Sequence, residues 1–154
     1  MANRTFYNEI LTEHNMNPAH KYKLIDPNKA LRGVNPSCGD DITIQIKVSE
    51  DGVIEDGSFI GSGCAISQAS ADMMFDLIIG RSVEEALELK EVFLRMIKGK
   101  ITDDEMEMLE EASSLQDISH MPSRVKCAVL GWHTLEEMFK KEDGDSGETT
   151  TENM

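Results

Sequence analysis

Aromatic side chains are scarce in this chain: one Trp, two Tyr and five Phe among 154 residues. A core built mainly on stacked rings is excluded, so burial has to come from Ile, Leu, Val, Ala and Met. The ten Met residues suit irregular core gaps or an adaptable contact surface. Positive charge is also short. Fifteen Lys and Arg stand against 29 Asp and Glu, a formal net charge of −14. Nucleic acid or an anionic membrane is therefore disfavoured as a partner, and a basic protein patch is favoured. Long apolar runs are missing, so no segment reads as a membrane span. The opening MANRTFYNEI has no apolar stretch of signal-peptide kind, and the expected location is cytoplasmic. There is no internal repeat, hydrolase triad, Gly-rich phosphate loop or nucleotide motif. Three cysteines are an odd set for a disulfide framework. In such a chain thiols serve as metal ligands, catalytic groups or plain buried residues.

What is present reads as one domain over residues 1–141, followed by an acidic tail at 142–154. In that tail EDGDSGE and then TTTENM have the composition of a disordered segment. A short N-terminal helix is expected over residues 5–13, with Phe6, Tyr7, Ile10 and Leu11 on its apolar side, ended by the NMNP stretch. Ile42, Ile44, Ile46 and Val48 alternate with Thr43, Gln45 and Lys47, the pattern of a strand buried on one face. The Asp51-Gly52 turn signal then returns the chain as a second strand over residues 53–60. Residues 30–34 offer a weaker third strand.

After Gly63 the period becomes helical. Ile66, Ala69, Ser70, Met73, Met74, Leu77 and Ile78 share a face up to Gly80. Ser82 with Glu85, and Thr102 with Glu105, are capping boxes for two more helices; the second is expected to run to about residue 111. Residues 112–121 are less regular. Pro122 suits a first helical turn, and Val125, Ala128, Val129, Trp132, Leu135 and Phe139 form one last stripe. The fold class expected is α+β: a small antiparallel three-stranded sheet packed against several helices.

All three cysteines fall at element boundaries. Cys38 precedes the first clear strand, Cys64 opens a helix, and Cys127 lies early in the last helix. Helix starts favour thiolates. Asp40 lies two residues from Cys38, and in an extended segment both would point the same way. Gly39 would keep the turn between them free of bulk. Three thiolates and one carboxylate would suit a tetrahedral zinc ion. The spacing is no CxxC pair, however, and three ordinary buried cysteines beside a solvated Asp remain the alternative. The four histidines, His14, His20, His120 and His133, look scattered along the chain.

NPSCGD, GSGCAISQAS and RVKCAVLGW, in this order, resemble the NifU-like family of iron–sulfur assembly proteins, and the resemblance runs from about residue 6 to residue 140. It implies a SufE/NifU-like fold. Scaffolds of the IscU type carry a His immediately before the third Cys and a Leu-Pro-Pro-Val-Lys motif upstream. Here Lys126 precedes Cys127, the upstream stretch is HMPSRVK, and an extra segment, KGKITDDEMEMLEEASSLQDIS, comes before it. Both departures look like the SufU branch.

For that branch the resemblance implies a zinc-dependent sulfurtransferase with Cys38, Asp40, Cys64 and Cys127 on the metal. A SufS-type pyridoxal-phosphate cysteine desulfurase would pass persulfide sulfur to Cys38. Arg124 would dock that desulfurase, and downstream Suf assembly proteins would receive the sulfur. Cys38 would leave the metal as a partner side chain takes its place. The alternative is a scaffold on which iron–sulfur clusters form transiently and are handed on. A third reading is a structural zinc domain with an acidic binding surface.

Overall fold

The computed structural model describes residues 9–140 and 148–151. Helix α1, Glu9–Met16, leads to strands β1, Lys29–Asn35, β2, Asp40–Val48, and β3, Ile54–Ser62. Helices α2, Ala65–Ile78, α3, Val83–Ile97, and α4, Asp103–Met108, follow. A 3-10 segment, Glu110–His120, precedes the long helix α5, Pro122–Lys140, and a short strand β4, Glu148–Thr150. The first half of the expected N-terminal helix lies outside the described residues. Among the described residues no helix is long and apolar enough to cross a membrane.

The α+β plan holds, but the sheet has four strands in the order β3-β2-β1-β4. The expected three are antiparallel, and the fourth pairs parallel to β1, Arg32 facing Glu148 and Val34 facing Thr150. It comes from the stretch expected to be a disordered tail. Its Thr149 and Thr151 are buried. Composition pointed away from structure there, yet an open strand edge accepts backbone hydrogen bonds whatever the side chains.

On β2, Ile42, Ile44 and Ile46 are fully buried, each contributing about 1.5–3 kcal/mol of transfer free energy. Gln45 breaks the alternation. It is buried too, donating to the Tyr22 carbonyl at 3.2 Å and to Ser58 Oγ at 3.1 Å, because the loop after α1 crosses that face. The helices cover the other face. Trp132 of α5 is fully buried and stacks on Phe93 of α3, with centroids 5.0 Å apart. Met73 and Met74 are core residues.

Both capping boxes form. The second helix nevertheless stops at Met108, short of the expected residue 111, and Glu110 takes a positive φ of 49°. Leu109, Ala112, Leu115 and Ile118 are the buried residues beyond it. Their constant spacing of three is the 3-10 period, so the tighter helix keeps one apolar row on the core.

Candidate metal centre

The hairpin between β1 and β2 builds the first half of the site. Asn35 pairs with Asp40 across the ladder, and residues 36–39 form the turn, with the Cys38 N–H donating to the Asn35 carbonyl at 3.2 Å. Cys38 and Asp40 therefore converge through a turn and not along an extended segment. Gly39 has φ +73° with open space where a Cβ would point, so it is there for backbone conformation and not to remove bulk. Steric need falls instead on Gly63. A Cβ there would stand 2.4 Å from Ser67 Oγ and 2.9 Å from Asp40 Oδ1.

Cys64 is the N-cap of α2, its sulfur accepting from the Ser67 N–H at 3.5 Å. Its own N–H donates to Asp40 Oδ1 at 2.7 Å, and Ser67 Oγ reaches the same oxygen at 3.2 Å. Asn35 Nδ2 donates to Asp40 Oδ2 at 3.0 Å and approaches Cys127 Sγ at 3.5 Å. Thr151, just beyond β4, donates to Asn35 Oδ1 at 3.1 Å and so fixes which way that amide faces. Asp40 is thus a buried carboxylate with several donors, the arrangement that keeps a carboxylate in one orientation.

Cys127, in the early turns of α5, is fully buried, whereas Cys38 and Cys64 are partly exposed. Cys127 Sγ lies 3.2 Å from Cys38 Sγ. One ligand atom each from Cys38, Asp40 and Cys127 falls within 4.8 Å of the others. Cys64 borders this trio, bonded through its backbone to Asp40 and close enough to perturb Cys127. Burial first, then the Cys38 and Cys64 thiols and the Asp40 charge, push the Cys127 thiol far above the usual thiol range. Without a cation the buried Cys127 thiol therefore keeps its proton; a soft divalent ion would reverse that balance by binding the thiolate. The donor set therefore fits a metal.

The match to a family model agrees with that geometry: residues 6–128 match the NifU-like N terminal domain. The chain belongs to this NifU-like family. Among its members, the zinc-dependent sulfurtransferase SufU of Bacillus subtilis is 40% identical over 140 residues, 91% of this chain and 93% of that protein. The iron-sulfur cluster assembly scaffold protein IscU of Thermotoga maritima is 41% identical over 141 residues, 92% of this chain and 97% of the other. A crystal structure from Fervidobacterium islandicum, described as an iron-sulfur cluster assembly scaffold protein for the SUF system, superposes with a TM-score of 0.80. It is 35% identical and covers 86% of this chain and 96% of that one.

Of the residues read from the NifU-like motifs, Cys38, Asp40, Cys64 and Cys127 come together at one end of the sheet. Arg124 stands one helical turn before Cys127, partly buried, on the first turn of α5. Asn35, Gly63, Ser67 and Thr151 were not singled out. Asn35 and Gly63 lie inside or beside the quoted motifs, and a buried amide and a crowded glycine are their signal. Thr151 has none, because its contact spans 116 positions. His120 is exposed, as a surface histidine should be. His14 and His20 are not scattered. His14 is buried with Nδ1 2.6 Å from Asp72 Oδ2 and Nε2 2.7 Å from Glu111 Oε1, and His20 Nε2 is 2.7 Å from Asp76 Oδ1. The hydrogen bond to Asp72, against the opposing effect of burial and with help from Glu111, raises the His14 pKa to about 9.

Proposed function

We propose that this chain is a zinc-dependent sulfurtransferase of the cytoplasm. It accepts persulfide sulfur at Cys38 from a SufS-type pyridoxal-phosphate cysteine desulfurase and delivers it to downstream Suf assembly proteins. The observation behind this reading is the unequal footing of the three thiols. Cys38 sits in a hairpin turn and is partly exposed, while Cys127 is fully buried in α5 and Cys64 caps α2. A turn residue can swing out with little disturbance of the fold; a buried helix residue cannot.

Zinc held by Cys38, Asp40, Cys64 and Cys127 would keep the thiols deprotonated without redox chemistry of its own. The Cys38 thiolate attacks the outer sulfur of the partner's persulfide. A sulfur–sulfur bond forms on Cys38, the partner's bond breaks, and the electron pair leaves with the partner's thiolate. Asn35 and Ser67 hold Asp40 in place meanwhile. Arg124, beside the Cys127 end of the site, is assigned to docking the desulfurase.

The B. subtilis relative's name supports the sulfurtransferase reading, as does Lys126 standing where IscU-type scaffolds carry His. Residues 98–119, the extra segment of the SufU branch, supply α4 and most of the 3-10 segment. The second reading, an assembly scaffold, is favoured by the equally similar T. maritima relative bearing that name. Alanine production by the desulfurase, measured anaerobically under reducing conditions, separates them. Strong stimulation by the zinc-loaded protein, lost in Cys38→Ala, is expected. No stimulation, with a stable brown chromophore once iron and cysteine are supplied, would establish the scaffold instead.

A further inference from the structure

The imidazole–carboxylate cluster around His14 lies away from the cysteines and has no part in sulfur transfer. It joins three separate pieces of the chain. His14 comes from α1, Asp72 and Asp76 from α2, and Glu111 from the 3-10 segment; His20, in the loop after α1, completes it.

Its hydrogen-bond count is informative. Both ring nitrogens of His14 face carboxylate oxygens, at 2.6 and 2.7 Å. A neutral imidazole has one N–H and satisfies one of them. The gap at Nε2 therefore needs a positive charge, either a proton or a metal ion. Asp72 is 1% exposed and holds Nδ1, leaving Nε2 as the outward-facing nitrogen. A carboxylate on the far nitrogen is what fixes and strengthens a metal-binding histidine.

Asp76 Oδ2 stands 3.9 Å from the same Nε2, so His14, Asp76 and Glu111 each offer an atom within 4.8 Å of the others. Metal–nitrogen and metal–oxygen bonds of about 2.0–2.2 Å put neighbouring ligand atoms roughly 3–3.5 Å apart, between the two distances seen at Nε2. Only the two carboxylates, 46% and 60% exposed, need to adjust. Asp72 also accepts from the His20 N–H at 2.8 Å, and His20 Nε2 steadies Asp76. A cavity of about 330 Å³ lined by Asp76, Glu110 and Glu111 opens beside the cluster and leaves room for water on the metal.

We propose that His14, Asp76 and Glu111 form a second metal site, for a divalent first-row cation of nitrogen and oxygen preference such as Zn2+ or Fe2+. Asp72 and His20 act as its positioning residues. Occupancy clips α1 and the 3-10 segment onto α2. Imidazole with carboxylates suits such ions and disfavours Cu(I), which thiolates and thioethers select. The proposal does not rest on the sulfur-transfer reading.

The test is a Co2+ titration of the full chain, read by bound-metal stoichiometry and by the visible spectrum. Thiolate ligation gives intense sulfur-to-metal bands, and nitrogen–oxygen ligation does not. Two equivalents are expected, one with thiolate bands and one without. The band-free equivalent should disappear in Asp76→Asn/Glu111→Gln and weaken about ten- to a hundredfold in Asp72→Asn, with the thiolate bands unchanged. Because both ligand carboxylates are exposed, the double variant keeps its fold, which circular dichroism checks. Uptake of a single, thiolate-bound equivalent by the wild type overturns the proposal, as does a band-free equivalent that survives the double variant. A band-free equivalent without any thiolate bands would uphold this site while removing the cysteine centre.

Discussion

Two clusters hang on helix α2 and handle packed ionisable groups in opposite ways. At its N-terminus, Cys38, Asp40, Cys64 and Cys127 are all groups that ionise to anions, and the buried Cys127 thiol is driven up by burial and by its neighbours. Further along α2, His14 is caught between carboxylates and is driven up by the Asp72 hydrogen bond. There the raised value means a retained positive charge. The first cluster gains from a metal because nothing in it neutralises its anions. The second neutralises itself with a proton, so a metal has to displace that proton and binds more weakly. A shared helix thus carries a centre that depends on its ion and one that tolerates its absence.

The largest effect that could break this comparison is metal removal. An ion at a thousand times its dissociation constant stabilises the folded state by about 4 kcal/mol. Chelation should lower the thermal midpoint sharply in the wild type and by a somewhat smaller amount in Asp76→Asn/Glu111→Gln, which has only the cysteine centre's ion to lose. An unchanged midpoint after chelation would mean that the cysteine centre contributes no folding free energy.

Next in size is Asn35→Ala. It leaves the buried Asp40 Oδ2 without its amide donor, and an unmet buried polar group costs about 1–3 kcal/mol. Urea unfolding should show that loss even in metal-free protein, together with faster loss of zinc to a chelator.

A third charged group sharpens the contrast, because its buried member is a permanent cation. Lys90 is 3% exposed and is held by Glu136 and Glu91. Burial pulls the Lys90 ammonium down and pushes the Glu136 carboxyl up. Their mutual hydrogen bond and charge outweigh this, leaving Lys90 above and Glu136 below its ordinary value. A carboxyl with a lowered folded pKa contributes stability that is complete above the unfolded value, near 4.5, and is lost as pH falls through the folded one. Glu136→Gln should cost about 1 kcal/mol at neutral pH and flatten that part of the acid limb, with no dependence on chelator. A chelator-dependent change would tie this pair to a metal centre after all.

The smallest effect should come from truncation after residue 147. This removes β4 and the Thr151 bond to Asn35, for a loss of less than about 1 kcal/mol, and zinc should be released slightly faster. Unchanged stability and unchanged release would make β4 an ornament of the sheet edge.

Much of this was legible in the sequence, for particular reasons. The Ile42, Ile44, Ile46 alternation and the two capping boxes are local signals, and the strand and the two helix starts they announce are present, although the second helix ends early, at Met108. The cysteine motifs were legible because they carry their own chemistry. The 3-10 segment was not recognised, although the spacing of Leu109, Ala112, Leu115 and Ile118 announces it. The fourth strand was hidden because Glu148–Thr150 belongs to a sheet only through backbone pairing with β1, which leaves little trace in side-chain pattern.

By itself the sequence determined which groups are available: three thiols and a carboxylate at element boundaries, an apolar period for each major helix, and too little positive charge for a polyanionic partner. Those are properties of residues and of their near neighbours along the chain. Tertiary structure alone decided that Thr151 orients Asn35 and that His14 meets Glu111 across 97 positions. Such contacts depend on how helices and sheet dock. Packing complementarity over the whole core sets that docking, and no local pattern encodes it.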